Sequence, residues 1–387
     1  MKQIVFITTH NWQTKRLGGF HKFAEATAAK GMETIFFSFP RPYYGYFMKR
    51  EQLNPSVLRT LTKGSVYNLE TGGSIFNVTF PTFRLPDGFG KILPNSLMNF
   101  LLKLSLGSFK RFAKKNFPQA ECFVFESCEG VIFVDKIKKL FPKAKIIYRP
   151  SDPMVYASVP ERVKKMEQNI LLKADMNLIV NQEGLDAYRK KIPDFDSKVK
   201  YKLLSNGIDL KKKKKEYPVP EELKCGNTVL YVGAWGVEWP LLFKAAFETP
   251  EYNYVVVCPN YPPEKVIQQA KTYKNIIYVP GISPTQVPAW ITNCQVVMVP
   301  YETDFYKDRP LGITAKYYQA MAAKKPIVAY HDTPKLLDAG VAVTYSYEDF
   351  ISAVKQGMIT KTKEYSFDLK GREWSTVTDI FIDEVFL

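Results

Sequence analysis

The sequence predicts an α/β protein of parallel sheets in two domains, and three observations carry that prediction. Its 387 residues exceed the size at which a single hydrophobic core usually stops growing. Short, continuous apolar runs recur between stretches of helical period, as in strands buried on both faces. The alternation then starts afresh after "KLLSNGIDLKKKKKEYPVPEELK" (202–224), where a turn-forming Asn-Gly precedes a polar, proline-containing linker.

Taken in order, "KQIVFITT" (2–9) reads as a buried strand, followed by a loop with Gly18 and Gly19 and a helix "FHKFAEATAAKG" that ends at Gly31. "ETIFFSFP", "AECFVFES", "AKIIYRPSD" and "MNLIVN" are further strands, separated by helices such as "GVIFVDKIKKLFP" and "ERVKKMEQNILLKA". The second half repeats the pattern with "NTVLYVGAW", "NYVVVCPN", "NIIYVPG", "CQVVMVPY" and "KPIVAYH". The C-terminal "REWSTVTDIFIDEVFL" (372–387) is a helix with Trp374 and Phe381 as apolar anchors. The expected division is 1–206, 207–365 and a terminal helix region, 366–387.

Composition narrows the class. The hydrophobic share of 46% is that of an ordinary globular chain. Cys122, Cys128, Cys225, Cys258 and Cys294 form no CxxC pair, and buried free thiols of a cytoplasmic protein account for them. No apolar run reaches the roughly 18–20 residues that span a bilayer. Fifty-four Lys and Arg against 38 Asp and Glu give a net charge of +16, which suits an anionic partner. No helix-turn-helix, zinc-finger or RNA-recognition signature accompanies the charge, so nucleic acid is not the expected partner. Instead, "KILPNSLMNFLLKLSLGSFKRFAKKN" (91–116) and "RPYYGYFMKR" (41–50) mix leucines and aromatics with cations, the composition of an interfacial membrane face. A core-packed helix with a basic outer face would give the same composition.

Chemistry concentrates in "RPLGITAKYYQAMAAKKPIVAY" (309–330). A Gly-Ile turn opens a helix backed by a buried strand, and a helix N-terminus in such a unit is a ready anion site. The N–H groups of Thr314, Ala315 and Lys316 would face a phosphate, with the Lys316 ammonium beside them. Gln319 lies one turn on along the same face. In the first half, Asp152 of "YRPSDPM" follows a predicted parallel strand at its carboxyl end, where open α/β sheets place their sites. Three histidines, His10, His21 and His331, have no metal-ligand spacing, and neither a Walker loop nor a GxGxxG fingerprint is present. "DFD" (194–196) sits in a polar loop and reads as surface.

An "NGID" turn joining two Rossmann-like halves, then "YVGAW", then Gly-Ile, helix and "AMAAKKPIVA", resembles the two-domain nucleotide-sugar glycosyltransferases of the GT-B fold. The resemblance spans most of the chain. It implies two domains facing across a cleft, a C-terminal helix crossing back to the first, and a sugar-nucleotide diphosphate at the start of the helix at Lys316. Many retaining members carry two glutamates here. This chain has Glu302 in "VPYETD" but Gln319 in the second place, and an inverting enzyme would need a base in the first domain. The missing glutamate, the "SDP" strand end and the basic-aromatic first half together resemble the membrane-associated glucuronosyltransferases of bacterial exopolysaccharide assembly. That resemblance makes Asp152 the base. It places Tyr301, Lys316 and Gln319 on a UDP-sugar, with Gly233 and Trp235 of "YVGAW" nearby; Ala315 stands where a methionine is usual. His10 and Gly19 would line the acceptor side. Gly236, Glu238 and Trp239 of "GAWGVEWP" read either as a phosphate-approach loop or as a plain βα turn. The implied activity is inverting, metal-free transfer of a sugar such as glucuronic acid to a lipid-linked saccharide at the inner face of the plasma membrane. The alternatives are a retaining enzyme using Glu302, a sugar-nucleotide epimerase and a non-catalytic sugar-nucleotide-binding protein.

Overall fold

A computed structural model describes residues 2–13, 18–42, 63–82, 94, 96–97, 100–101, 104, 106–156, 161–208, 217–233, 236–260, 262–303, 312–367 and 369–386. The "RPYYGYFMKR" stretch beyond residue 42, the lysine run 211–215 and Trp235 lie outside the described residues. The chain divides into two compact units, Met1–Ser205 with Thr378–Leu387, and Asn206–Val377.

The first unit is built on β1 (Gln3–Thr8), α1 (Gly19–Ala29), β2 (Glu33–Pro42), β3 (Ser65–Asn68), β4 (Ser74–Thr82), α2 (Phe109–Asn116), β5 (Ala120–Glu126), α3 (Val134–Leu140), β6 (Lys145–Arg149), α4 (Glu161–Lys173), β7 (Met176–Ile179), α5 (Gln182–Lys191) and β8 (Tyr201–Leu203). These strands form one eight-stranded sheet in the order β3-β4-β2-β1-β5-β6-β7-β8, parallel except for the edge pair β3–β4. Every residue of β1 is buried, as a central strand covered on both faces must be.

The hairpin β3–β4 is the part of this sheet that the apolar runs did not reveal. β4 carries Asn77 and Thr79 inside the core, both fully buried. Their polarity breaks the run, and hydrogen bonding makes it tolerable. Asn77 Nδ2 donates to the Phe36 carbonyl at 2.7 Å and to Ser38 Oγ at 3.0 Å, while its Oδ1 accepts from Trp12 N–H at 3.2 Å.

One face of the sheet is filled by a phenylalanine cluster that includes Phe37, Phe39, Phe80, Phe109, Phe117 and Phe133. The rings of Phe109 and Phe133 stack at 4.1 Å. Within the basic-apolar segment 91–116, therefore, the final helix α2 turns Phe109 and Ala113 into the core and exposes Lys110, Arg111, Lys114 and Lys115. Earlier in the segment, Leu97, Phe100 and Leu104 are exposed.

The second unit contains β9 (Thr228–Val232), α6 (Trp239–Glu248), β10 (Asn253–Val257), α7 (Glu264–Ala270), β11 (Ile276–Val279), α8 (Val287–Asn293), β12 (Val296–Pro300), α9 (Ala315–Ala322), β13 (Ile327–Tyr330), β14 (Ala342–Thr344) and α10 (Tyr347–Thr360). Its six strands, in the order β11-β10-β9-β12-β13-β14, are all parallel. The last helix, α11 (Trp374–Phe386), places Phe381 against Phe6 and Phe23 of the first unit's core, at 6.0 and 4.5 Å.

Candidate active site

In the first unit the carboxyl ends of the adjacent strands β1, β5 and β6 open into one cavity of about 320 Å3, lined by Thr9, His10, Glu126, Ser127, Ser151, Asp152, Pro153 and Met154. Parallel order puts these three loops side by side. Asp152 is exposed at its rim. The turn that carries it is tied down by Ser127, whose Oγ accepts from the N–H groups of Ser151 and Asp152 at 3.0 and 3.2 Å. Ser151 Oγ donates to Glu126 Oε1 at 3.1 Å, and Thr8 Oγ1 donates to the other oxygen of that carboxylate. Glu126 is thus fixed with little exposure.

Opposite Glu126 in the β5–β6 register stands Arg149, fully buried. Burial pulls the guanidinium down to about 10, while the negative charges of Glu126 and Asp152 oppose that fall. His10 reaches the cavity from the β1 loop, with its N–H on Thr8 Oγ1 at 3.1 Å. Gly19 opens α1 and is not among the lining residues.

In the second unit two of the expected donor residues, Tyr301 and Gly233, lie against the Lys316 ammonium. Lys316, in the first turn of α9, donates to Tyr301 Oη at 3.0 Å. Its Nζ also lies 4.8 and 4.9 Å from the ring centres of Tyr231 and Tyr301, within reach of their π faces. Lys316 is therefore turned into the unit and does not snorkel to solvent. Burial, and secondarily the charge of Asp332, raises the Tyr301 hydroxyl above its ordinary value. Burial likewise raises Asp332, against the Tyr317 hydroxyl, the Thr333 N–H and the Lys316 charge.

Gly233 explains why this cluster closes so tightly. A Cβ there would lie 2.2 Å from Tyr231 Oη and 2.9 Å from Lys316 Nζ. Thr314 is the N-cap of α9 in extended conformation and makes no side-chain capping bond; the amides of Ala315 and Lys316, in the first turn, have no acceptor inside the helix. Gln319 follows in the next turn, partly exposed.

The segment after Gly233 adds a second carboxylate pair. Glu302 N–H donates to the Gly236 carbonyl at 2.9 Å and Glu238 N–H to the Pro300 carbonyl at 2.8 Å, which brings together Glu302, just past β12, and Glu238, the N-cap of α6. Burial first, and Glu238 second, raises the Glu302 carboxyl. Glu238 Oε1 accepts from Tyr347 Oη at 2.5 Å.

The "DFD" stretch caps and opens a single helical turn, Phe195–Lys198, with Asp194 at its N-cap. Asp196 there is held by Arg189 at 2.9 and 3.0 Å and by Tyr201 Oη at 2.8 Å, which makes it half of a surface ion pair. Among the described residues no group of three or more His, Cys, Asp or Glu side chains could hold a metal, and no helix is long and apolar enough to cross a membrane.

Sequence reasoning missed Thr9, Glu126, Ser127, Ser151 and Tyr231. The available signal was positional: each lies at or just beyond the carboxyl end of a parallel strand, except Tyr231, which sits inside one. A search of curated sequences gave no match. The family model "Glucuronosyltransferase GumK, N-terminal domain" matches residues 6–180, a stretch that contains the whole lining of the first cavity. Among solved structures, sucrose-phosphate synthase from Thermosynechococcus elongatus is similar at 13% identity with a TM-score of 0.70, covering 99% of this chain and 98% of that one. The UDP-forming α,α-trehalose-phosphate synthase from Burkholderia vietnamiensis gives 11% identity and a TM-score of 0.65, over 100% and 99%. Anabaena HepE, solved with UDP and glucose, gives 11% and 0.58, over 100% and 99%. Residues 6–180 of this chain are thus similar to a glucuronosyltransferase N-terminal domain, and the chain as a whole has the GT-B fold.

Proposed function

We propose that the protein is an inverting glycosyltransferase that moves glucuronic acid from a UDP donor to a lipid-linked oligosaccharide, on the cytoplasmic face of the membrane and without a metal. The observation that carries this reading is the placement of Asp152, a carboxylate on a doubly pinned turn at the rim of a polar cavity, within the stretch matched by the glucuronosyltransferase model. Asp152 takes the proton of an acceptor hydroxyl as its oxygen attacks the anomeric carbon and the UDP leaves. Lys316 and the amides at the start of α9 meet the diphosphate, whose charge grows as the bond breaks. Gln319 and Tyr301 hold the nucleoside sugar. The exposed Leu97, Phe100 and Leu104, together with the +16 charge, support a membrane-facing first unit.

The test is Asp152→Asn. UDP affinity by calorimetry should be unchanged, while transfer, read by mass spectrometry of lipid-extract reactions over several nucleotide sugars, should fall by roughly two to four orders of magnitude. A second reading is favoured by one observation, the Glu302 carboxyl raised beside Glu238: a retaining enzyme that works through Glu302. The anomeric configuration of the product, read by NMR against that of the donor, decides between them. Retention, or near-normal turnover of Asp152→Asn, removes Asp152 from the mechanism.

A further inference from the structure

We propose that Glu167 is the positioning residue that holds Asp152 in its working geometry, an inference that rests on the reading of Asp152 as the base. Glu167 lies in α4 with no exposed surface, yet four donors converge on its carboxylate. Tyr148 Oη of β6 and Tyr188 Oη of α5 donate to Oε1 at 2.7 and 2.6 Å. Met154 N–H reaches the same oxygen at 3.0 Å, and Val155 N–H reaches Oε2 at 2.7 Å.

Those two amides belong to the second and third residues after Asp152, and Met154 itself lines the cavity. The turn is therefore held on both sides: Ser127 Oγ takes the amides of Ser151 and Asp152, and Glu167 takes those of Met154 and Val155. Asp152 sits between these two anchors, on the cavity lining.

Filling the core would not call for this arrangement. A fully buried carboxylate carries a large desolvation penalty, which apolar residues of similar volume avoid. Here the penalty shows as a carboxyl raised by burial against the pull of all four hydrogen bonds. Fixing a turn is what such a group does better than an apolar side chain, because two consecutive amides pointing at one carboxylate allow the backbone little freedom. A misplacement of about 1 Å in a reacting group is enough to lower a rate on the order of 100-fold.

Glu167→Gln tests the role. It keeps the volume and one acceptor oxygen but sets an amide NH2 where an acceptor is needed. We expect UDP affinity within about twofold of the native protein, turnover lower by roughly 10- to 100-fold with little change in acceptor KM, and faster amide exchange at Met154 and Val155. In the Asp152→Asn background the same change should have no further effect on the residual rate, because Glu167 acts through Asp152.

Turnover of Glu167→Gln within twofold of native overturns the role, as does an equal loss in the Asp152→Asn background, the mark of general structural damage. If Glu167→Gln does not fold, Tyr188→Phe removes one donor and leaves its ring stacked on Phe195, 6.0 Å away. The same non-additivity is expected there with a smaller factor, and additive losses overturn the role. Near-normal turnover of Asp152→Asn overturns the base and this role with it. Near-normal turnover of Glu167→Gln beside an inactive Asp152→Asn overturns this role alone.

Discussion

At the scale of single residues, burial sets the chemistry of His21. Gly18 N–H donates to its Nδ1, and its Nε2 faces the Asn11 carbonyl, each at 3.4 Å, so the neutral ring carries its proton on Nε2. Burial is the main cause that pulls it down from 6.5 to about 4; the Asn11 carbonyl opposes the fall and nearby His10 adds to it. Between those two values the unfolded chain binds a proton that the folded chain refuses. The contribution of His21 to stability is therefore present above pH 6.5 and lost as pH falls toward 4. Relative to His21→Gln, the native protein should lose about 2 kcal/mol between pH 7 and pH 4.5, read from urea midpoints. A parallel pH dependence of the two proteins would contradict this. Lys316→Ala is expected to weaken UDP binding by roughly 10- to 100-fold, the worth of one charged hydrogen bond of about 1.5–3 kcal/mol, in contrast to Asp152→Asn, which spares it.

At the scale of elements, two strands show how neighbours govern what a segment tolerates. β9 ends in Tyr231 and Val232, and Gly233 just beyond it leaves room for the Tyr231 hydroxyl and the Lys316 ammonium. Gly233→Ala should displace one of them. The expected outcome is a protein that still folds, destabilised by about 1–3 kcal/mol from overpacking, with UDP affinity lowered as in Lys316→Ala; calorimetry on the variant reads it. β4 shows the reverse case, a polar residue that a buried strand requires. Asn77→Ala removes the donor used by the Phe36 carbonyl and the acceptor used by Trp12 N–H. A loss of about 2–3 kcal/mol is expected in urea unfolding, and a loss below about 0.5 kcal/mol would mean that water replaces the amide.

For the whole molecule the relevant quantity is charge in relation to exposed apolar surface. The chain carries +16, and α2 presents four cations on its outer face while Leu97, Phe100 and Leu104 stand exposed just before it. Each cation near an anionic surface contributes on the order of 1 kcal/mol, an attraction that salt screens. The protein should float with vesicles containing phosphatidylglycerol at low salt and be released as salt rises. Replacing Leu97, Phe100 and Leu104 with serine should lower the floated fraction while UDP affinity stays unchanged. Protein that remains at the bottom of the gradient at low salt would remove the membrane from the proposal and favour a soluble acceptor.

The sequence by itself determined the alternation of buried strands and helices, because continuous apolar runs such as "QIVFIT" and "YVVV" reflect burial on both faces, a property local to each strand. It also put Asp152 at a strand end and Lys316 at a helix start, because such ends are legible locally, whereas Tyr301 came from the family resemblance alone. The tertiary structure decided what depends on strand order. β1, β5 and β6 are far apart in sequence, and only their adjacency in the sheet makes Thr9, Glu126, Ser127 and Ser151 one cavity with Asp152. It decided β4, whose Asn77 looks unfit for a core until its hydrogen-bond partners are in place. It decided that Phe109 and Ala113 of α2 pack into the core while Leu97, Phe100 and Leu104 stand exposed, since the same mix of leucine, phenylalanine and lysine is compatible with either. Glu167 illustrates the reason most plainly: from sequence it is one more charged residue in an amphipathic helix, and only the convergence of Tyr148, Tyr188, Met154 and Val155 makes its burial stable.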